Sequence, residues 1–166
     1  MGKYLITGRP GSGKTTVIEA LKRRGFQAFN ADDMPEVTKL EEQETGKPVP
    51  WPEGVVDWKK YIWNWQEAGL RKLLQNESDV FIGGIVGNQQ KYYPLFDKIF
   101  ALTIDAETLR KRLDSHAHSR TAREKEQALA VHYDKQARFE KQGLVLISAD
   151  GSVDEIIDNI LAQLKK

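Results

Sequence analysis

At 166 residues, with 40% hydrophobic and 30% charged residues, the chain has the size and composition of one ordinary globular domain. A net charge of +1 gives no reason to expect a nucleic-acid or membrane surface, and the absence of cysteine excludes disulfides and thiolate metal sites. No apolar run approaches the roughly 18 residues of a membrane helix, and no signal peptide is recognisable, so we expect a cytoplasmic protein.

Short apolar runs predict five strands along the chain, at residues 4–7, 26–29, 79–84, 98–104 and 144–147. The segments predicted to be helical are 14–24, 55–75, 106–114, 121–141 and 153–164. Because strands and helices alternate, we expect a three-layer α/β fold in which helices cover both faces of a five-stranded parallel sheet. Residues 1–166 are expected to form a single domain.

The segment 31–54 is polar and rich in proline, and it shows little periodicity. Its apolar residues Met34, Val37 and Leu40 could still pack against the domain. Long connections inside compact domains are commonly functional, so we interpret this segment as an excursion on the substrate side rather than as a linker.

The turn between the first strand and the first helix reads Gly8-Arg9-Pro10-Gly11-Ser12-Gly13-Lys14-Thr15 and matches the pattern G-x-x-x-x-G-K-[ST]. Small residues in this pattern let successive backbone N–H groups turn toward an anion, and the helix adds its positive end. Lys14 is expected to reach the β- and γ-phosphates of ATP or GTP, and the Thr15 hydroxyl to coordinate Mg²⁺. The predicted nucleotide-binding residues of the loop are Gly8, Pro10, Gly11, Ser12, Gly13, Lys14, Thr15 and Thr16.

The alternative to this phosphate loop is a glycine-rich turn that binds nothing. The position of the pattern, directly after a buried strand and at the start of a helix, favours phosphate binding. The glycine spacing differs from G-x-G-x-x-G, which disfavours a dinucleotide-binding dehydrogenase.

Beyond the loop, the chain resembles the small P-loop kinases, the group that contains adenylate, shikimate and gluconate kinases. The features behind this resemblance are Asn30-Ala31-Asp32 where shikimate-kinase-like proteins carry D-x-D, Gly83-Gly84 after the third strand, the basic stretch 110–125 and the loop Ser148-Ala149-Asp150-Gly151-Ser152. Three features are similar to those of uncharacterised bacterial ATP-binding proteins in this kinase-like group: Asp32-Asp33-Met34-Pro35, a Trp-rich helix and Gly84-Ile85-Val86-Gly87-Asn88-Gln89. The resemblance implies a P-loop NTPase fold with adenylate-kinase-like topology.

The same resemblance implies ATP as the phosphate donor, Mg²⁺ as its metal, an acceptor-side region at 31–77 and a lid at 110–125. It also implies that Asp150 and Gly151 lie against adenine. Two departures weaken the metal site: Asn30 replaces the first acid of D-x-D, and the third strand ends in glycine rather than in a Walker B aspartate. Mg²⁺ would then depend on Thr15, the phosphates, water and Asp32.

Asp32 is the candidate for the acceptor-side carboxylate, because phosphoryl transfer benefits from an acid that orients the acceptor hydroxyl and takes its proton. The alternative is an aspartate that caps a helix or stabilises a turn. Asp33 competes with Asp32 for either role.

The stretch 110–125 concentrates positive charge in Arg110, Lys111, Arg112, Arg120, Arg123 and Lys125. A closing lid brings such charge to the triphosphate, and we favour Arg112 and Arg120 as catalytic contacts, with Arg123 behind them. Arg112 is also expected to bind the nucleotide. The alternative is a solvated helix face.

Four tryptophans lie within fifteen positions, at Trp51, Trp58, Trp63 and Trp65. They either pack a helix against the sheet or offer a stacking surface to a planar acceptor such as a nucleobase. Asn88 and Gln89 after the third strand either hydrogen-bond the acceptor or stabilise a turn.

Taken together, the residues predict an ATP-dependent phosphotransferase that acts on a small molecule: a nucleoside, a nucleoside monophosphate or a polyol-like hydroxyl compound. No nucleic-acid or membrane partner is expected. The alternatives are a regulatory ATPase or switch that acts through a macromolecular partner, and a nucleotide binder without turnover, for which Asn30 is the best support.

Overall fold

The computed structural model describes residues 2–9, 12–75, 77–105, 107–108, 110–111 and 138–165. Its strands, in chain order, are β1 Lys3–Thr7, β2 Gln27–Asn30, β3 Thr38–Glu42, β4 Pro48–Val49, β5 Tyr61–Trp65, β6 Val80–Gly83, β7 Lys98–Thr103 and β8 Val145–Ser148. The α-helices are α1 Lys14–Arg23, α2 Glu67–Leu73 and α3 Val153–Leu164, and 3₁₀ turns cover Ala31–Asp33 and Gln89–Leu95.

Five of the strands form a parallel sheet in the order β2-β6-β1-β7-β8. The central strand β1 pairs with β6 and β7, so that Ile6 lies opposite Gly83 on one side and Phe100 on the other. These strands are apolar because both faces of a parallel sheet are covered. The five-stranded parallel sheet predicted from the sequence is confirmed, and each strand lies within one residue of its predicted bounds.

Helices cover both faces of this sheet. Ile6 lies in a buried cluster with Ile18 of α1 and Ile157 of α3, so these two helices share one face. Leu5, the preceding residue of β1, belongs to a second cluster with Leu70 of α2. Because neighbouring side chains of a strand point to opposite faces, the two clusters lie on opposite sides of the sheet, and the predicted three-layer arrangement is confirmed.

The ends of α1 and α3 follow from local chemistry. Gly25 comes just after α1 with a φ of 91°, a left-handed conformation that is costly for residues with a Cβ, and it ends the helix as predicted. Helix α3 begins at Val153 because the Ser152 Oγ accepts a hydrogen bond from the backbone N–H of Glu155 at 3.2 Å.

A second sheet, antiparallel and three-stranded, has the order β4-β3-β5. Strands β3 and β5 pair over five residues, from Thr38 opposite Trp65 to Glu42 opposite Tyr61. We call β3, β4 and β5 the small sheet, and the parallel sheet the main sheet. Strands β3 and β4 of the small sheet lie in the segment 31–54 that the sequence indicated as a substrate-side excursion, whereas β5 lies beyond it.

The sequence prediction of one helix over 55–75 is wrong for residues 55–66. Residues 61–65 form β5, residues 55–60 are not helical, and helix α2 covers only Glu67–Leu73. The spacing of Trp58, Ile62 and Trp65 suggested a helix. However, aromatic and β-branched residues also favour a strand, and here β3 supplies the partner that decides between the two.

The apolar residues of the excursion are packed, as predicted. Val37 and Leu40 are 1% and 2% exposed, and Met34 packs at the edge of the cluster that contains α2. Residues 31–54 are therefore part of the folded body and not a linker.

The predicted helices at 106–114 and 121–141 fall mostly outside the described residues. Their described parts, 107–108, 110–111 and 138–141, are helical. Within the described residues, no helix combines the length and the apolar character that crossing a membrane requires.

Candidate functional site

The glycine-rich loop connects β1 to α1 at the carboxyl edge of the main sheet. A Cβ on Gly8 would lie 2.7 Å from the Ser12 Oγ and 3.0 Å from the carbonyl oxygen of Leu102, so this position excludes any side chain. Gly13 has a φ of 97°, the left-handed conformation that glycine adopts without strain. Of the predicted loop residues, Pro10 and Gly11 lie outside the described residues.

Two polar side chains of the loop are placed to receive an anion. The Lys14 Nζ donates to the carbonyl oxygens of Gly8 at 2.6 Å and Arg9 at 3.2 Å, so the ammonium lies over the loop. The Ser12 hydroxyl is buried and has no hydrogen-bond partner among the described residues. A buried hydroxyl is ordinarily hydrogen-bonded, so an unpaired one inside a cationic loop fits a phosphate oxygen.

Thr15 and Thr16 are exposed in the first turn of α1, where a bound phosphate could reach them. Arg9, which the sequence analysis did not single out, lies half-buried beside the loop, and burial lowers the pKa of its guanidinium. The consequence is a loop with two cations, Lys14 and Arg9, in place of the one that the motif predicts.

Asp32 lies in the 3₁₀ turn that follows β2. The indole Nε1 of Trp63 donates to its Oδ1 at 3.3 Å. Burial raises the pKa of the Asp32 carboxyl above its ordinary value of 3.8, while the Trp63 hydrogen bond and the positive charge of Lys14 act in the opposite direction. Asp32 is therefore a partly buried carboxyl group within electrostatic reach of the phosphate-loop lysine.

The alternatives for Asp32 can be compared with this geometry. Asn30 occupies the N-cap position of the 3₁₀ turn and makes no capping hydrogen bond, so Asp32 is not the cap. Asp33 is exposed and, unlike Asp32, has no side-chain hydrogen bond to Trp63. Of the two carboxyls, that of Asp32 is the partly buried one that Trp63 holds in place.

The double glycine after β6 lets Asp32 approach the sheet. A Cβ on Gly84 would lie 3.3 Å from the Asp32 Oδ1 and 3.5 Å from the Trp65 ring. A Cβ on Gly83 would lie 2.7 Å from the Ile18 side chain of α1. Contacts below about 3.4 Å force a neighbour to move, so the two glycines are required by packing against α1 and Asp32.

A cavity of about 250 Å³ opens beside Asp32, between the 3₁₀ turn and the small sheet. We call it the acceptor cavity. The residues around it include Asp32, Asp33, Lys39, Leu40, Trp51 and Trp63. The Asp32 carboxyl therefore borders a largely apolar space that lies outside the phosphate loop.

The four tryptophans divide between packing and this cavity. Trp65 is 1% exposed and packs against Tyr92 and Phe96, with ring centroids 6.1 and 6.2 Å away. Trp51 and Trp63 line the acceptor cavity. Trp58 is 56% exposed and touches Trp51 at a centroid distance of 6.3 Å without lining the cavity.

Asn88 and Gln89 hold the loops of the site together. The Asn88 side chain accepts from the Trp65 N–H at 2.9 Å and donates to the Trp65 carbonyl oxygen at 3.0 Å. The Gln89 side chain accepts from the Val86 N–H at 3.0 Å and donates to the Thr7 hydroxyl, just before the phosphate loop, at 3.2 Å. Both amides are used within the protein, which supports the turn-stabilising interpretation over contact with an acceptor.

The loop before α3 is fixed at the same edge of the main sheet. The Asp150 Oδ1 accepts from the backbone N–H of Asp105 at 3.2 Å, and its Oδ2 accepts from the Ser148 hydroxyl at 3.2 Å. A Cβ on Gly151 would lie 2.5 Å from the Glu155 carboxylate. These contacts hold the loop at the ends of β7 and β8, and not in the part of the site where Asp32 lies.

The lid residues Arg112, Arg120 and Arg123 lie outside the described residues. Lys111, at the start of that stretch, is exposed and pairs with Glu107 one helical turn away at 3.3 Å, as on an ordinary solvated helix face.

Few side chains near the phosphate loop can bind a metal ion, and those that can offer oxygen atoms. Among the described residues, no group of three or more His, Cys, Asp or Glu side chains is arranged to hold a metal. The Thr15 hydroxyl and the Asp32 carboxyl are both oxygen donors at one edge of the main sheet. Such a set fits Mg²⁺, which keeps several waters and is held by one or two protein oxygens together with substrate phosphates.

Comparison with solved structures identifies the same fold in three kinases. Shikimate kinase from Bacteroides thetaiotaomicron is 16% identical, with a TM-score of 0.64 and 99% of each chain covered. A gluconokinase from Sinorhizobium meliloti 1021 is 18% identical, with a TM-score of 0.57 over 99% of this chain and 91% of the other. Deoxyadenosine kinase from M. mycoides, solved with bound dATP, is 16% identical, with a TM-score of 0.52 over 99% and 100%.

Sequence comparison gives the family. No curated protein matches the sequence significantly. The family described as AAA domain matches residues 5–132, a range that begins within β1 and contains the phosphate loop and the whole small sheet. The chain belongs to this AAA domain family, and it has the fold of the small P-loop kinases that its sequence resembles.

Proposed function

We propose that the protein is an ATP-dependent phosphotransferase that moves the γ-phosphate of ATP to the hydroxyl of a small molecule. The single observation that carries this proposal is that the fold brings a buried carboxyl, Asp32, within electrostatic reach of the phosphate-loop Lys14 and beside a cavity. A nucleotide switch has no need of a small-molecule cavity beside the loop. An acid and a second cavity at the same edge are what an acceptor requires.

The donor occupies the phosphate loop. Lys14, the Ser12 hydroxyl and the backbone N–H groups of the loop from Gly8 to Thr16, except at Pro10, hold the phosphates, and Asp150 and Gly151 border the adenine. Thr15 and Asp32, together with water and the phosphates, would hold Mg²⁺, which would neutralise charge on the phosphate oxygens. Support for ATP comes from the P-loop itself and from the similar deoxyadenosine kinase fold, which was solved with dATP.

The acceptor reacts from the side of Asp32. Its hydroxyl oxygen forms the new bond to the γ-phosphorus, the bond from that phosphorus to the bridging oxygen breaks, and ADP leaves. The hydroxyl proton passes to the Asp32 carboxylate, whose pKa burial has raised toward the working range of a proton acceptor. The lid arginines Arg112 and Arg120 complete the proposal by stabilising the charge of the transferred phosphoryl group.

The test is phosphoryl transfer from ATP, followed by phosphorus NMR or by ADP release. The panel contains nucleosides, nucleoside monophosphates and polyols, offered to wild type and to Asp32→Asn. We expect one class to be phosphorylated, and Asp32→Asn to lower kcat by about 100-fold or more, the usual size of a general-base contribution.

The matched comparison is Asp33→Asn, which removes the same charge from the exposed neighbouring residue that borders the same cavity. It is expected to retain most of the activity. Steady release of phosphate to water with no transfer to any member of the panel contradicts the proposal and favours a regulatory ATPase. Equal losses in the two variants contradict the role of Asp32.

A further inference from the structure

The acceptor cavity has two flat aromatic walls. The rings of Trp51 and Trp63 meet at 84° with centroids 5.5 Å apart, so that together they form a corner. Leu40 and Val49 of the small sheet add aliphatic surface to the same lining. A corner made of two indoles suits a planar ring, which stacks on one indole and meets the other edge-on.

The polar groups of the cavity argue against an acceptor that already carries a phosphate. Asp32 and Asp33 place two carboxylates in the lining, against the single ammonium of Lys39, which is exposed. A phosphate on the acceptor would lie beside these carboxylates and be repelled. An uncharged acceptor has no such cost.

The cavity also offers little to a polyol. The Thr38 hydroxyl, one of its few neutral polar groups, already donates to the backbone carbonyl oxygen of Ala31 at 2.7 Å. Compounds with many hydroxyl groups need a hydrogen-bonding partner for each buried one. Asp32, Asp33 and Lys39 offer partners at the polar side of the cavity, but the aromatic and aliphatic walls supply none.

Trp63 connects the aromatic wall to the reacting carboxyl. Its indole Nε1 donates to the Asp32 Oδ1 at 3.3 Å while its ring faces the cavity. A planar ligand stacked on Trp63 therefore lies next to the carboxyl oxygen. A hydroxyl carried on a short saturated arm from such a ring would reach Asp32.

We propose that the acceptor cavity binds a nucleoside, with the base in the corner of Trp51 and Trp63 and a sugar hydroxyl directed at Asp32. The inference rests on the proposed function and narrows the acceptor to an uncharged molecule that carries a planar aromatic ring. The products are then a nucleoside monophosphate and ADP, with the hydroxyl proton transferred to Asp32.

Binding is tested by isothermal titration calorimetry on the full chain, without nucleotide and with ADP. The ligands are adenosine, guanosine, cytidine and thymidine, their 5′-monophosphates, and gluconate and shikimate as non-aromatic polyhydroxy acids. We expect at least one nucleoside to bind saturably, and more tightly than its own monophosphate.

The decisive variants are Trp51→Leu and its control Trp58→Leu. The two tryptophans are 59% and 56% exposed, so both substitutions leave the core intact, but only Trp51 lines the cavity. Base stacking on an aromatic side chain predicts that Trp51→Leu raises the Kd of the nucleoside about fivefold or more. The same change at Trp58 is expected to leave the Kd within about twofold.

The outcomes separate this inference from the proposed function. Transfer of phosphate to gluconate, shikimate or a monophosphate, with no nucleoside bound, overturns the nucleoside site and leaves the phosphotransferase standing. Nucleoside binding that depends on Trp51, without any transfer from ATP, supports the site and overturns the phosphotransferase. Equal losses of nucleoside affinity in Trp51→Leu and Trp58→Leu overturn the stacking corner.

Discussion

The main sheet and the small sheet are held together in different ways. The main sheet is buried on both faces, and its central residues Leu5 and Ile6 are fully inaccessible to solvent. Its stability comes from apolar area, which is additive and tolerant of exchange among similar residues. The small sheet buries fewer residues, of which Leu40 and Trp65 are the most enclosed.

The small sheet depends instead on single specific contacts with its surroundings. The backbone N–H of Gln66 donates to the Val37 carbonyl oxygen at 2.7 Å, and that of Gly87 donates to the Trp63 carbonyl oxygen at 2.8 Å. Asn88 adds two further hydrogen bonds to Trp65. The main sheet and its phosphate loop are therefore supported by extensive apolar burial. The small sheet and the acceptor cavity are positioned by a few contacts, any of which a single substitution can remove.

The largest effect should come from Gly69→Ala in α2. A Cβ at this position would lie 1.9 Å from the Glu36 carbonyl oxygen and 3.2 Å from the Val37 Cα, directly before β3. The backbone must move to admit it, and overpacking of this kind destabilises a fold by about 3 kcal/mol. The free energy of unfolding from urea denaturation measures the loss.

Its control is Ala68→Gly at the exposed neighbouring position. Helix propensity alone predicts that Ala is better than Gly by about 1 kcal/mol at both positions. We therefore expect the protein to be more stable with Ala than with Gly at position 68, and more stable with Gly than with Ala at position 69. A Gly69→Ala variant that is more stable than wild type would show that α2 does not press against the small sheet.

A smaller effect is expected for Asn88→Ala, which removes both side-chain hydrogen bonds to Trp65. The loss should be about 2 kcal/mol, since each net hydrogen bond contributes roughly 1 kcal/mol. Thermal or urea unfolding measures it. Asn88→Asp keeps an acceptor for the Trp65 N–H but places a carboxylate oxygen against the Trp65 carbonyl oxygen, so it should lose at least as much. The exposed Gln90→Ala serves as the near-neutral control, and a loss as large as that of Asn88→Ala would contradict the comparison.

The smallest effect is the pH dependence that Asp32 gives to stability. Its pKa is raised above 3.8, chiefly because burial disfavours the charged form. As the pH rises from 3.8 through the raised pKa, the unfolded chain releases this proton first, so wild type loses stability relative to Asp32→Asn. Below that window and above it, the difference should be independent of pH.

Urea denaturation of both proteins across this pH range measures the difference. A gain of stability with rising pH would mean that Lys14 and Trp63 outweigh burial. The positive charge of Lys14 and the Trp63 hydrogen bond would then stabilise the charged form of Asp32 by more than burial destabilises it. The contacts of Asp32 would in that case add to the stability of the fold.

The sequence predicts the main sheet well because its signals are local. An apolar run such as Tyr4-Leu5-Ile6 is an adequate sign of a buried strand, and Gly25 and Ser152 mark helix ends through their own backbone or side chain. The phosphate loop is equally local, since its glycines, Lys14 and Thr15 lie within eight consecutive residues.

The small sheet and the acceptor cavity depend on contacts between distant residues, and these the sequence does not reveal. Nothing near Trp63 indicates a hydrogen bond to Asp32, and Tyr61–Trp65 becomes a strand only because Thr38–Glu42 pairs with it. The approach of Asp32 to Gly84 is a further contact of this kind. Residue types therefore indicate which side chains are candidates, while the sheet order decides which of them meet.

The hydrogen bond from Trp63 to Asp32 also has a practical consequence. Indole emission responds to a charge and a hydrogen bond at the ring nitrogen, so this bond makes Trp63 a built-in optical reporter of the carboxyl beside it. Ionisation of Asp32 and arrival of a ligand would both be visible in the fluorescence of the unlabelled chain. With Trp51 and Trp58 replaced, two emitting side chains remain: Trp63, whose indole nitrogen is hydrogen-bonded to the carboxyl, and the buried Trp65.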